Sequence, residues 1–288
     1  MKHFSHFTAI DWSGAVGSHH KAIAVAVADA QGGPPVLVVR EKGWRREKVL
    51  ALLRDDLPPA TLVGLDLGIS LPFADRGAFF PGWQDSPPDA RSLWRLIERI
   101  CRDDPHLAAS SFVDHPQASA YFRRHGGREG PQFGGGRGRF RVTEIEQAKL
   151  GCKPYSNFNL VGAAQVGKSS LTGMRMLHAL RGHVPVWPVD PLSDQGSTIV
   201  EIYTSLAAIA AGRSASRAKM RSFEELNTAL ANLHCPPVEG HGAIDDHSSD
   251  ALVTAAWLRK VAHDPALWSP RAMSEEIART EGWTFGVP

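Results

Sequence analysis

The residues best suited to chemistry are three carboxylates set at the ends of apolar segments. Asp11 closes the run FTAID, Asp66 closes TLVGLD, and Asp250 lies early in IDDHSSDALVTAAWLRKV. In that last stretch Ala251, Leu252, Ala255, Ala256, Leu258 and Val261 recur at helical spacing, which predicts a helix over 244–261 with an apolar face. Residues three or four apart share a helix face, so Asp246, His247 and Asp250 stand together near its N-terminus. Asp and Ser are ordinary first-turn residues, because they satisfy free amides and suit the helix dipole. Asp250 differs in bordering the apolar face, where a carboxylate needs a partner such as a cation. Hard oxygen ligands select Mg2+ or Mn2+. Two such ions can clamp the attacking and leaving oxygens of a phosphodiester. Asp11 and Asp66 also precede turns, where Asp makes local hydrogen bonds, so their value as ligands depends on whether the fold gathers them.

The surrounding pattern predicts how they are positioned. Short apolar runs over 7–11, 21–28 and 35–40, with DAQGG as the turn between the last two, read as an antiparallel meander. A helix over 44–53, stopped by Pro58 and Pro59, leads to a strand over 61–65. Helices are predicted over 91–101, 165–180 and 223–233, and a strand containing Glu201 over 197–204. Trp268, Trp283 and Phe285 mark a tail packed on the body. Strands are scarce between 81 and 191, so this stretch reads as a helical and loop insertion in a single domain spanning 1–288. The order β-β-β-α-β, insertion, β, α predicts an α/β protein. Its mixed sheet would hold three antiparallel strands, then parallel ones, with helices on both faces. If the first strand lies beside the fourth in parallel, Asp11 and Asp66 meet at the carboxyl edge, where ligands of open α/β sheets collect.

Composition narrows the class. Over 288 residues, 43% hydrophobic and 22% charged residues are the proportions of an ordinary soluble chain that can bury a core. A net charge of +2 supplies no general attraction for nucleic acid or membrane, so either partner would have to be recognised locally. Cys101, Cys152 and Cys235 show neither metal-ligand nor disulfide spacing, which suits a reducing cytoplasm. The opening MKHFSHFTAIDW is too short and polar for a signal peptide, and no run is apolar enough to span a bilayer. A cytoplasmic protein with no membrane partner is expected, and a homodimer is an allowed state.

The segments AIDWSGA, VGLDLGISLP, NLVGAAQVGKSSLTGM, IVEIYTSLAAI, DDHSSDALVTAAW and EGWTFGV, in this order along nearly the whole chain, resemble the family catalogued as domain of unknown function 429. That family is described as predicted nucleases of the ribonuclease H-like superfamily. His247-Ser248-Ser249-Asp250-Ala251 also resembles the signature opening the last helix of Holliday-junction resolvases. The resemblance implies a ribonuclease H-like fold and a metal-dependent nuclease acting on DNA or RNA. Asp11, Asp66 and Asp250 would hold Mg2+ or Mn2+, with Glu201, as a further metal-ligating strand acid, or His247 completing the site. The chain departs from the family pattern at Tyr203 and Ser205, where a histidine and a second glutamate often follow the strand acid. A non-catalytic binding protein of the same fold is the alternative.

Two other motifs compete. Gly162 to Ser169, GAAQVGKS, matches G-x-x-x-x-G-K-[ST], in which amides cradle phosphates and the lysine reaches them. The preceding NFNLV is a poor strand, and Pro188 argues against a strand at WPVD. A phosphotransferase is therefore the weaker reading, although Lys168 at a helix N-terminus suits a substrate phosphate. Asp66-Leu67-Gly68-Ile69-Ser70 resembles the phosphate loop of actin-like ATPases, which need two such domains. The stretch 126–141 reads as a flexible basic loop. Arg128, Arg137, Arg139 and Arg141, interleaved with Phe133 and Phe140, suit phosphate contact and base stacking. Arg137 and Arg139 are the expected substrate contacts beside Lys168.

Overall fold

Strand β1 (His6–Asp11) is flanked by β2 (Ala24–Asp29) and β4 (Thr61–Asp66), and side chains on all three alternate between two buried faces. The computed structural model describes residues 3–162, 165–192, 195–214 and 218–288. A six-stranded sheet has the order β3-β2-β1-β4-β8-β7, with β3 at Val36–Leu37, β7 at Val186–Trp187 and β8 at Thr198–Glu201. The first three strands pair antiparallel, and β1, β4, β8 and β7 run parallel. The predicted α/β mixed sheet is therefore present. The third strand is shorter than the predicted 35–40: only Val36 and Leu37 pair with β2, and Val36 and Val39 point to solvent at this sheet edge.

One face of the sheet carries Ile10, Val25, Val63, Leu65 and Ile199 against α1 (Arg46–Asp55), α2 (Ala90–Ile100) and α5 (Val166–Ala179). Between α2 and α5 come α3 (Ser110–Asp114), the small hairpin β5 (Arg123–Arg124) and β6 (Arg128–Glu129), and α4 (Val142–Lys149). The stretch 81–191, read as an insertion, packs as part of the one body. It supplies α2 and α5, which pack together over the sheet, and the edge strand β7. Pro188 does not prevent β7 from pairing, because it follows the last paired residue of an edge strand and no ladder bond is lost.

The other face presents small residues, Ala9, Ala24, Ala26, Ala28 and Gly64. A Cβ on Gly64 would lie 2.8 Å from Ile202 Cγ2 and 2.9 Å from Leu258 Cδ1. This shallow surface lets α8 (Asp246–Val261) lie close across β1 and β2, with α6 (Thr204–Ala210) and α7 (Phe223–Asn232) beside it. The predicted strand over 197–204 stops at Glu201, and Thr204 already opens α6. Beyond α8, α9 (Pro265–Trp268) and α10 (Glu275–Thr280) lead into the tail, where Trp268 and Phe285 pack with Trp187 at centroid distances of 4.8 to 5.8 Å. Among the described residues no helix is long and apolar enough to cross a membrane.

Candidate active site

Asp11 and Asp66 are the last residues of neighbouring parallel strands and face each other in register. Alternation puts both on the α8 face, in step with Ala9 and Gly64. Helix α8 starts under a well-made cap, in which Asp245 accepts from the Ser248 amide at 2.9 Å. One turn further on, the buried Asp250 is carried toward the ends of β1 and β4. His247, on the first turn, brings Nδ1 within 2.9 Å of Asp11 Oδ2. Asp66 Oδ2 accepts from the Thr204 hydroxyl at 3.3 Å. Lys219 Nζ donates to Asp250 Oδ2.

The electrostatics are those of crowded like charges. Burial, followed by the charges of Asp11 and Asp250, holds Asp66 well above the usual carboxylate range. Burial pushes Asp250 up to about 6, although Lys219 opposes it. The hydrogen bond to Asp11 raises His247. Burial works against the charge on Lys219, but Asp250 outweighs it and raises the ammonium. Among the described residues no three His, Cys, Asp or Glu groups close around one point as a ready-made metal cage. In this arrangement Asp11, Asp66 and Asp250 each hold a protein partner instead. The donor set nonetheless suits a hard divalent cation, since Asp11 and Asp250 both oppose the charge on Asp66 and a cation would relieve it.

Glu201 does not join them. It pairs in register with Leu65, not Asp66, so the period of two turns it to the opposite sheet face. There Arg141 holds both its oxygens, at 2.5 and 2.8 Å, while Thr284 Oγ1 and the Ile69 amide donate at 2.6 and 2.8 Å. Arg141 in turn bonds Glu144 and the Glu281 carbonyl. Glu201 is thus a buried structural acid and not a free ligand, which corrects the expectation. The same network corrects the reading of 126–141 as a loose basic loop. Arg139 is buried, clamped on Asp75 at 2.6 and 2.8 Å and on the carbonyls of Pro72, Ala78 and Phe79, so it cannot contact substrate. Phe133 is fully buried beneath Arg123. Arg137 alone of the two stays exposed, lying over Phe140 and Tyr155.

A cleft of about 360 Å3 joins the carboxylate edge to the start of α5, lined by Asp66, His247, Tyr203, Tyr155, Lys168 and Ser169 among others. The junction is tight. A Cβ on Gly14, in the turn after β1, would collide with the backbone of Lys168 and Ser169, and one on Gly68 would lie 2.8 Å from Ser170 Oγ. Trp12 Nε1 donates to Thr172 Oγ1 at 3.0 Å. Lys168 therefore faces the same cleft as Asp66 and His247, and the Arg141-bound Glu201 also reaches its wall, while Lys168 Nζ lies 3.1 Å from His125 Nε2. The phosphate-loop context is not met. Asn159 makes only an isolated bridge with Arg123 where a strand is required. Gly167 is needed because a Cβ there would meet Asn157 O and Leu160 Cδ2. Ala163 and Ala164 of the motif lie outside the described residues. Sequence reasoning missed Lys219 and Thr204, which no local pattern marks, since only the packing of their segments beside α8 and β4 brings them in.

No family model, curated protein or solved structure matches the chain. The class that the fold and site define is an α/β protein with a carboxylate cluster at the parallel edge of a mixed sheet.

Proposed function

We propose that the protein is a ribonuclease H-like, Mg2+- or Mn2+-dependent nuclease that hydrolyses phosphodiester bonds in DNA or RNA. The observation that carries this is the convergence of Asp11, Asp66 and Asp250 on one sheet face, where the charges of Asp11 and Asp250 add to burial in raising Asp66. The strand order, with the antiparallel meander beside parallel β1 and β4, supports the fold assignment. Asp11, Asp66 and Asp250 would hold the cation, which would supply Lewis-acid polarisation of the scissile phosphate and lower the pKa of water. Asp11 fixes His247 through Nδ1, leaving Nε2 to exchange a proton with water or the leaving oxygen at the cleft. Lys168 stands on the cleft wall to meet a flanking phosphate, and Tyr155 and Tyr203 line the same cleft, where aromatic rings suit a base.

The test is Mn2+ titration by calorimetry on wild type, Asp11→Asn and Asp66→Asn, followed by cleavage of labelled single- and double-stranded oligonucleotides. Saturable uptake lost in both variants, with Mn2+-dependent cleavage lost alongside, is the expected result. Cleavage that persists in Asp66→Asn overturns the reading. A second reading, a non-catalytic binding protein of this fold, is favoured by the protein partners already holding Asp11 and Asp250. It predicts oligonucleotide binding without Mn2+ uptake.

A further inference from the structure

The three carboxylates differ in what they hold. The hydrogen-bond partner of Asp66 among the described residues is the neutral hydroxyl of Thr204, and Asp11 shares its charge with His247. Asp250 alone is bound by a side chain that always brings a full positive charge, the ammonium of Lys219. Nor is Lys219 a stray surface lysine. Its carbonyl accepts from Arg213 Nη2 at 2.9 Å. The next residue, Met220, is fully buried and its carbonyl accepts from Ser249 Oγ on α8 at 2.8 Å. The Lys219 backbone is thus anchored to the helix that carries Asp250. Its stem stays half exposed while the carboxylate it reaches is 4% exposed, so the charged head is directed inward from solvent.

We propose that Lys219 takes the place of a second metal ion, so that of the three carboxylates assigned to the metal above only Asp11 and Asp66 bind the one divalent cation, and the ammonium on Asp250 is the other positive charge facing the substrate. This rests on the nuclease reading above. Charge balance favours it: before substrate arrives, one divalent ion and one ammonium neutralise three carboxylates, whereas two ions and the ammonium leave a buried site strongly positive. The ammonium also has the reach and the donors to meet a phosphate oxygen, as a point charge.

The experiment is Mn2+ stoichiometry, counted by calorimetry and by electron paramagnetic resonance, on wild type, Lys219→Met, Lys219→Gln and Lys219→Arg, with thermal melts confirming that each is folded. Wild type and Lys219→Arg should bind one ion. The two neutral variants should bind two, with the first ion held about tenfold tighter because a nearby positive charge has gone. Two ions in wild type, or one ion at unchanged affinity in both neutral variants, overturns the role of Lys219 and leaves the nuclease reading standing. No Mn2+ uptake by wild type, with Asp66→Asn indistinguishable from it, overturns the nuclease reading and this inference together.

Discussion

Replacing Asp250 by asparagine should make the protein more stable at neutral pH while abolishing cleavage. Asp250 is buried, and its carboxyl is pushed from an ordinary 3.8 up to about 6, first by burial, with Lys219 opposing. At about 1.4 kcal/mol per pH unit, this gap corresponds to about 3 kcal/mol. A carboxylate whose folded pKa lies above its unfolded value binds its proton more tightly in the fold. Stability is therefore greatest below about pH 4, falls as pH rises to about 6, and stays lowered at neutral pH. Asparagine keeps the shape without the charge and should recover most of that energy, about 2 to 3 kcal/mol, or about 3 to 6 °C in Tm for a chain of this size. Lys219, half exposed, can rehydrate when its partner becomes neutral. The assay is urea or thermal unfolding of wild type and D250N at pH 7.5 and pH 4, without divalent ions. The gain should be present at pH 7.5 and vanish at pH 4, where wild-type Asp250 carries its proton. A D250N protein that is no more stable at pH 7.5, or equally stabilised at both pH values, refutes the reasoning.

Three further outcomes follow from the same contacts. Glu201→Gln breaks a buried ion pair with Arg141 and should cost about 3 kcal/mol in urea unfolding. Mn2+ uptake by the folded variant should match wild type, since Glu201 lies on the opposite face. Gly14→Ala forces the turn after β1 away from Lys168 and Ser169 and should cost about 2 to 3 kcal/mol, measured as a lowered Tm. His20 is buried, Nε2 has no hydrogen-bond partner among the described residues, and burial, helped by Arg46, lowers its pKa to about 4. The unfolded chain then takes up the proton first, so stability should fall by about 3 kcal/mol as pH drops from about 6.5 to 4. His20→Phe should flatten that part of the profile, and an unchanged slope removes His20 as its cause.

Much of the architecture is legible in the residues alone, because strand and helix periods are local properties. The alternation in FTAID and TLVGLD, the apolar face of α8 and the caps at its start predict β1, β4 and α8 within a few residues of where they lie. With the strand order inferred, Asp11, Asp66 and Asp250 follow as one cluster, and His247 with them. What the tertiary structure decided are the partners of charge. Arginines at 137, 139 and 141 look alike in a glycine-rich stretch, yet the fold leaves Arg137 exposed and buries Arg139 on Asp75 and Arg141 on Glu201. Glu201 ends a strand like the site acids, but a register that sets it opposite Leu65 sends it to the other face. Lys219 has no pattern around it, and it meets Asp250 because Met220 is packed against α8. Periodicity is written in neighbouring residues. The choice of counter-charge depends on burial and register, which only the assembled chain defines.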